Sequence, residues 1–168
     1  FSYDDGVTQD IRLVEILNRY NLKATFNLNS ELLGKDGSLD ILGKRILHNK
    51  IQPHEITEVY KGHEIAAHTL THPDMTEMPA DEVIRQVEQD RLNLSELSGT
   101  EVIGMAYPGR QPNYNSRIAR IIKNGTGVKY ARTTICNKDF SYQSDLYEFH
   151  PSVFHRDWDQ LYKLAEKF

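Results

Sequence analysis

A single cysteine, Cys136, in 168 residues leaves no partner for an intramolecular disulfide and no set of thiolates for a multi-cysteine zinc cluster. Long apolar runs are missing too: nothing approaches the roughly 20 consecutive apolar residues that cross a bilayer, so no transmembrane segment is expected. The chain also lacks a basic stripe. Its 20 Lys and Arg and 24 Asp and Glu are spread along the sequence for a formal net charge of −4, a balance that makes nucleic acid an unexpected partner. No signal peptide is present. The chain opens at Phe1, within what reads as a strand, so that absence carries no information, and the lone thiol leaves the compartment open. The expectation is one domain spanning 1–168, truncated at both ends.

What remains is an ordinary globular composition, 39% hydrophobic and 26% charged, of a length that can bury roughly two-thirds of the surface its unfolded form exposes. Strand and helix signals alternate. Phe1 to Tyr3 reads as a strand remnant, and Ile11, Val14, Leu17 and Tyr20 then fall at helical spacing. Ala24 to Leu28 alternates like a half-buried strand, whereas Ser30 to Asn49 fits no single pattern. Pro53 to Tyr60 is a short helix, with proline at its start and Gly62 past its end, and Glu64 to Ala67 is a strand. Pro79 to about Leu97 is the longest helix, ended by Gly99. Val102 to Ala106 (strand), Asn115 to Lys123 (helix), Val128 to Arg132 (strand) and Asp157 to Phe168 (helix) complete the series. Such alternation predicts an α/β fold of parallel strands with helical crossovers, either an open doubly wound sheet or a barrel.

In both architectures reactive groups collect at the carboxyl ends of the strands. Asp4-Asp5 ends the first strand, His68 the third, and Tyr107-Pro108-Gly109-Arg110 the fourth. His68 and His72 stand four residues apart, where one helical turn would aim both imidazoles the same way; alone, the pair reads equally well as ordinary polar loop residues. A hydrolytic zinc-type site keeps three protein ligands and an open position, so two histidines need one more donor, and Asp5 can supply it. A strand end entering Gly6 lets adjacent Asp4 and Asp5 take different roles. The plain alternative for Asp-Asp-Gly is a turn.

Tyr3-Asp4-Asp5-Gly6 and His68-Thr69-Leu70-Thr71-His72-Pro73, preceded by Gly62-His63-Glu64-Ile65-Ala66-Ala67, closely resemble the first two motifs of the polysaccharide deacetylases, carbohydrate esterase family 4. The resemblance extends over most of the chain. It implies a distorted, incomplete (β/α) barrel in which Asp5, His68 and His72 hold a divalent metal, zinc first with cobalt or nickel as alternatives. It further implies that Asp4 is the general base and that Thr69 steadies the histidine loop. The implied activity is metal-dependent hydrolysis of N- or O-acetyl groups on an acetylated polysaccharide or oligosaccharide. From the third motif, the backbone N–H of Tyr107 is expected to face the oxyanion, with Tyr107 and Pro108 on a substrate-contacting rim loop.

The sequence departs from the family at two places. The arginine that commonly precedes the third motif's proline is displaced here to Arg110, which either reaches Asp4 or is a solvated loop residue. The last motif's histidine, which protonates the leaving group, has no clear match. His150 and His155 flank Pro151-Ser152-Val153-Phe154 in a different setting, and Asp157-Trp158 matches the family's aromatic groove only loosely. Two further readings therefore stay open: a catalytically silent glycan-binding relative, and a metal hydrolase acting on a small amide. The family resemblance favours a cell-envelope or exterior location.

Overall fold

The computed structural model describes residues 1–109, 112–154 and 156–167. Five short strands, β1 (Ser2–Asp4), β2 (Thr25–Leu28), β5 (Glu64–Ala67), β6 (Gly104–Ala106) and β7 (Tyr130–Arg132), form one sheet in the order β1-β2-β5-β6-β7. Every pairing is parallel, and the sheet curls into a half-barrel. A separate antiparallel hairpin, β3 (Ser38–Ile41) and β4 (Lys44–Leu47), lies in the stretch that defied assignment from sequence. Phe149 forms a parallel bridge with Arg132 beyond the last strand.

The helices form where amphipathic stripes and end signals coincide. α1 (Asp10–Arg19) buries Val14 and Leu17. After a 3-10 turn at Pro53–Glu55, α2 (Ile56–Val59) buries Ile56. α3 (Ala80–Ser98) has Asp81 and Glu82 in its first turn, where the helix dipole favours acidic groups, and stops at Gly99 in the left-handed conformation. α4 (Ser116–Gly125) starts where the Asn115 side chain accepts from the Ile118 N–H. α5 (Trp158–Ala165) is capped in the same way by Asp157, so it is shorter at each end than the Asp157 to Phe168 expectation. No helix among the described residues is long and apolar enough to cross a membrane.

Phe26, Leu28, Ala67 and Met105 from the strands meet Val83, Val87 and Leu94 of α3 and Ile118 and Ile122 of α4 in one core. Each fully buried Leu, Val or Phe side chain contributes about 1.5–3 kcal/mol, and this packing fixes the level at which the strands end. That level is the rim on which the polar residues gather.

Candidate metal centre

β1 carries the first pair of carboxylates to the rim and then turns sharply. Asp5 has φ 82° and Gly6 φ 59°, two consecutive left-handed residues that redirect the chain within one step and separate the Asp5 side chain from that of Asp4. The Asp5 N–H donates to Asn27 O at 2.9 Å, which ties the turn to β2. A Cβ on Gly6 would stand 2.8 Å from Leu28 Cδ2, so this position has no room for a side chain.

β5 delivers His68, which is 2% exposed. Its loop is not the helical turn expected from the His-x-x-x-His spacing. Thr69 has φ 69° and His72 φ 60°, and two left-handed residues in five are incompatible with a right-handed helix. Side chains and one backbone carbonyl of α3 hold the loop in place of helical hydrogen bonds. The His68 N–H donates to Asp90 Oδ2 (2.9 Å), the Leu70 N–H to Gln86 O (3.0 Å) and the His72 N–H to Thr69 Oγ1 (3.2 Å), while Asn29 Nδ2 donates to Thr69 O (2.9 Å). Asp90 sits at the bottom of this arrangement, its carboxyl pushed up to about 7 by burial against the pull of the N–H groups of Ser30 and His68.

The loop brings Asp5, His68 and His72 together. One ligand atom from each lies within 4.8 Å of the others, and Asp5 Oδ1 is 3.7 Å from His72 Nε2. The two imidazoles meet edge to face with centroids 5.0 Å apart. His68 Nδ1 donates to Ala106 O at 2.9 Å, which leaves the Nε2 lone pair for a ligand. Burial holds the His68 pKa below its ordinary value despite the nearby Asp4 and Asp5, so the ring is neutral, the form that binds metal. Two imidazole nitrogens and one carboxylate oxygen converging in this way suit a divalent ion of the zinc type, with positions left over for water.

Beside this cluster stands Asp4. Its Oδ1 accepts from Asn27 Nδ2 (2.9 Å) and pairs with Arg132 Nη2. Burial pushes the Asp4 pKa up, but the charges of His68 and Arg132 and the hydrogen bonds from Arg132 and Asn27 outweigh it, and the net shift is down. Because His68 is neutral, Arg132 is, among the described residues, the cation that keeps Asp4 ionised at neutral pH. Arg132 also donates to Ser2 Oγ (3.0 Å) and Thr133 O (3.0 Å), which fixes its guanidinium. Sequence reading missed this residue. Its only signal is a cation at the last position of a rim strand, paired in register with Ala106.

Other expected site residues fall differently. Tyr107 is fully buried rather than on a rim loop: its ring stacks on Tyr114, and its hydroxyl donates to Tyr147 O at 2.8 Å. Its backbone N–H donates to Arg132 O at 3.0 Å and so belongs to the sheet ladder. Pro108 is also buried and Gly109, at φ 84°, is exposed. Arg110 and His155 lie outside the described residues. His150 is hydrogen-bonded through Nδ1 to Thr133 Oγ1 at 2.7 Å.

With this geometry in view, residues 1–131 match the family model described as polysaccharide deacetylase. A bifunctional xylanase/deacetylase from Pseudobutyrivibrio xylanivorans is 28% identical over 102 residues, which is 60% of this chain and 15% of that protein. Among solved structures, the Streptococcus pyogenes deacetylase PplD, in complex with acetate, superposes with a TM-score of 0.76 at 20% identity over 97% of this chain and 68% of its own. A polysaccharide deacetylase from Bacillus cereus gives a TM-score of 0.74 at 17% identity over 96% of this chain and 49% of its own. The chain thus spans a small part of the curated relative and one half to two thirds of these structures.

Proposed function

The chain belongs to the polysaccharide deacetylase family, and from that premise we propose that it hydrolyses acetyl groups from a carbohydrate polymer at the Asp5, His68 and His72 centre. The observation that carries this reading is the pairing of two unlike carboxylates. Asp5 faces the histidines, while Asp4, one residue away, is held ionised by Arg132 and Asn27.

Asp5, His68 and His72 would hold a divalent ion, zinc by preference, which when bound would supply Lewis acidity, lowering the pKa of water toward about 7 and polarising the acetyl carbonyl. Asp4 is the general base. With Oδ1 committed to Arg132 and Asn27, Oδ2 takes the proton of the attacking water while its oxygen bonds to the acetyl carbon. The charge that develops on the carbonyl oxygen calls for a backbone donor at the rim. The Tyr107 amide is engaged in the sheet and Pro108 has no N–H, so the next amide along, that of exposed Gly109, is the donor in this reading. Breaking the bond to the sugar oxygen or nitrogen then releases acetate, with Asp4 returning its proton or a further acid supplying one.

Acetate release from acetylated chito-oligosaccharide and from acetylated xylan, with and without a chelator, tests the proposal and separates N- from O-deacetylation. Release that stops with chelator and returns with zinc is the expected result. Bound zinc with no release from any acetylated glycan would overturn it in favour of glycan binding alone.

A further inference from the structure

The segment after β4 is hydrogen-bonded along both edges. On one side the His48 and Lys50 N–H groups donate to Gly37 O (2.8 Å) and Lys35 O (2.9 Å); on the other, the Thr8 N–H donates to Asn49 O (2.8 Å) and the Ile51 N–H to Gly6 O (2.9 Å). It is therefore locked to the residues that directly follow Asp5. Side chains two apart on extended backbone share a face, and here that face meets the Asp5 carboxylate. His48 Nε2 lies 3.3 Å from Oδ2 and Lys50 Nζ 3.5 Å from Oδ1, while Oδ1 is also the oxygen 3.7 Å from His72.

A carboxylate turns easily about its last torsion, so an Asp held through one oxygen alone is poorly aimed. His48 supplies the contact on the second oxygen. Lys50, only 9% exposed, stands 3.2 Å from His48 Nε2. An ammonium only donates and a carboxylate only accepts, so Nε2 serves one neighbour at a time; with a proton on Nε2 it donates to Asp5, and Lys50 then meets Asp5 Oδ1 directly at 3.5 Å. His48 is not a member of the three-residue ligand cluster.

Resting on the reading of Asp5 as a metal ligand, we propose that His48, carried in by the β3–β4 hairpin and braced by Lys50, is a positioning residue that aims Asp5 at the metal. The unassigned stretch between Ser30 and Asn49 then has a purpose beyond connecting β2 to α2: its return strand completes the surroundings of the centre. Partners that orient a metal ligand are typically worth 10–100-fold in metal affinity.

The test compares the full chain with His48→Ala, His48→Gln and His72→Ala by zinc competition against a chromophoric chelator, visible absorption of the cobalt form, and melting of the metal-free protein. His48→Ala is expected to weaken zinc binding by about 10–100-fold and to change the cobalt spectrum. Its metal-free melting point should stay within about 2 °C of the parent. His48→Gln, which can offer an N–H to the same oxygen, is expected to recover most of the affinity. Parent-like zinc binding in His48→Ala, alongside clear loss in His72→Ala, would overturn the role of His48 and leave the metal centre standing. A lower metal-free melting point in His48→Ala, with no recovery by Gln, would reduce His48 to a structural residue. Zinc affinity unchanged in His72→Ala would instead remove the centre itself.

Discussion

Replacing Arg132 with Met keeps the aliphatic stem and deletes the cation that, among the described residues, pairs with Asp4. The variant also loses the donors to Ser2 Oγ and Thr133 O. Hydrogen bonds to charged groups are worth about 1.5–3 kcal/mol, and each 1.36 kcal/mol is tenfold in rate. If that interaction keeps the base ionised and aimed as the proton is taken, kcat falls by roughly 10- to 150-fold while KM changes little. The pH profile supplies an independent reading. Arg132 lowers the Asp4 pKa, so its removal raises it. Asp4 must be ionised to act as base, and the acidic limb of the profile therefore moves to higher pH. Initial rates of acetate release across the acid and neutral range, on protein with verified zinc content and melting point, measure both quantities. Unchanged kcat and an unmoved acidic limb in fully zinc-loaded Arg132→Met would refute the role given to Asp4 as much as that of Arg132. Lys at this position is expected to rescue only in part, because an ammonium cannot reach Asp4, Ser2 and Thr133 in one fixed plane.

Asp4→Asn should abolish acetate release yet bind zinc like the parent, whereas His72→Ala should lose zinc; equal metal loss in both, measured by metal analysis after dialysis, would contradict the division of roles. Gly104→Ala places a methyl 2.2 Å from the Tyr130 ring and should cost about 1–3 kcal/mol, a drop of several degrees in a thermal melt. Burial raises the Asp10 pKa to about 6, above its unfolded value near 3.9, against the hydrogen bond from Tyr60. The folded state thus holds this proton more tightly. The stability Asp10 contributes is fully present below about pH 4 and is lost as pH rises through about 6. Melts of Asp10→Asn against pH should lack that decline.

The sheet was readable because its strands are short apolar or alternating runs bounded by turn residues, with β6 buried throughout and β2 nearly so, and the helices because their stripes coincide with Pro79, Gly99 and Asn115. The β3–β4 hairpin escaped for equally physical reasons. Its residues are exposed or half-buried with no alternation, and its turn is Leu42-Gly43, both at positive φ, rather than the Asn-Gly or Asp-Gly that marks such turns. Asp5, His68 and His72 were legible from motif and strand context together. Tyr107 was misjudged because a tyrosine before Pro-Gly at a strand end looks like a loop residue. One more step of ladder, Tyr107 N–H to Arg132 O, carries it into the core instead.

The supports of the centre were also written in the sequence, in a form that motif reading passes over. Val83, Gln86, Val87, Asp90 and Leu94 fall on one stripe of α3, and all five are buried. Two polar groups on a core stripe require partners, since a buried amide or carboxyl without hydrogen bonds costs about 1–3 kcal/mol. In the folded chain those partners are the loop that holds the histidines: Asp90 takes the His68 N–H, and Gln86 takes the Thr71 N–H through its side chain and the Leu70 N–H through its carbonyl. The Leu70 N–H uses a backbone carbonyl and the His68 N–H also reaches Leu28 O, but an apolar helix face would have taken away the side-chain acceptors of the Thr71 and Ser30 amides, and a loop with two left-handed residues has no internal ladder to replace them. Polar residues at core positions of a helix therefore point to an irregular, buried backbone opposite, which in this chain is the loop that carries His68 and His72.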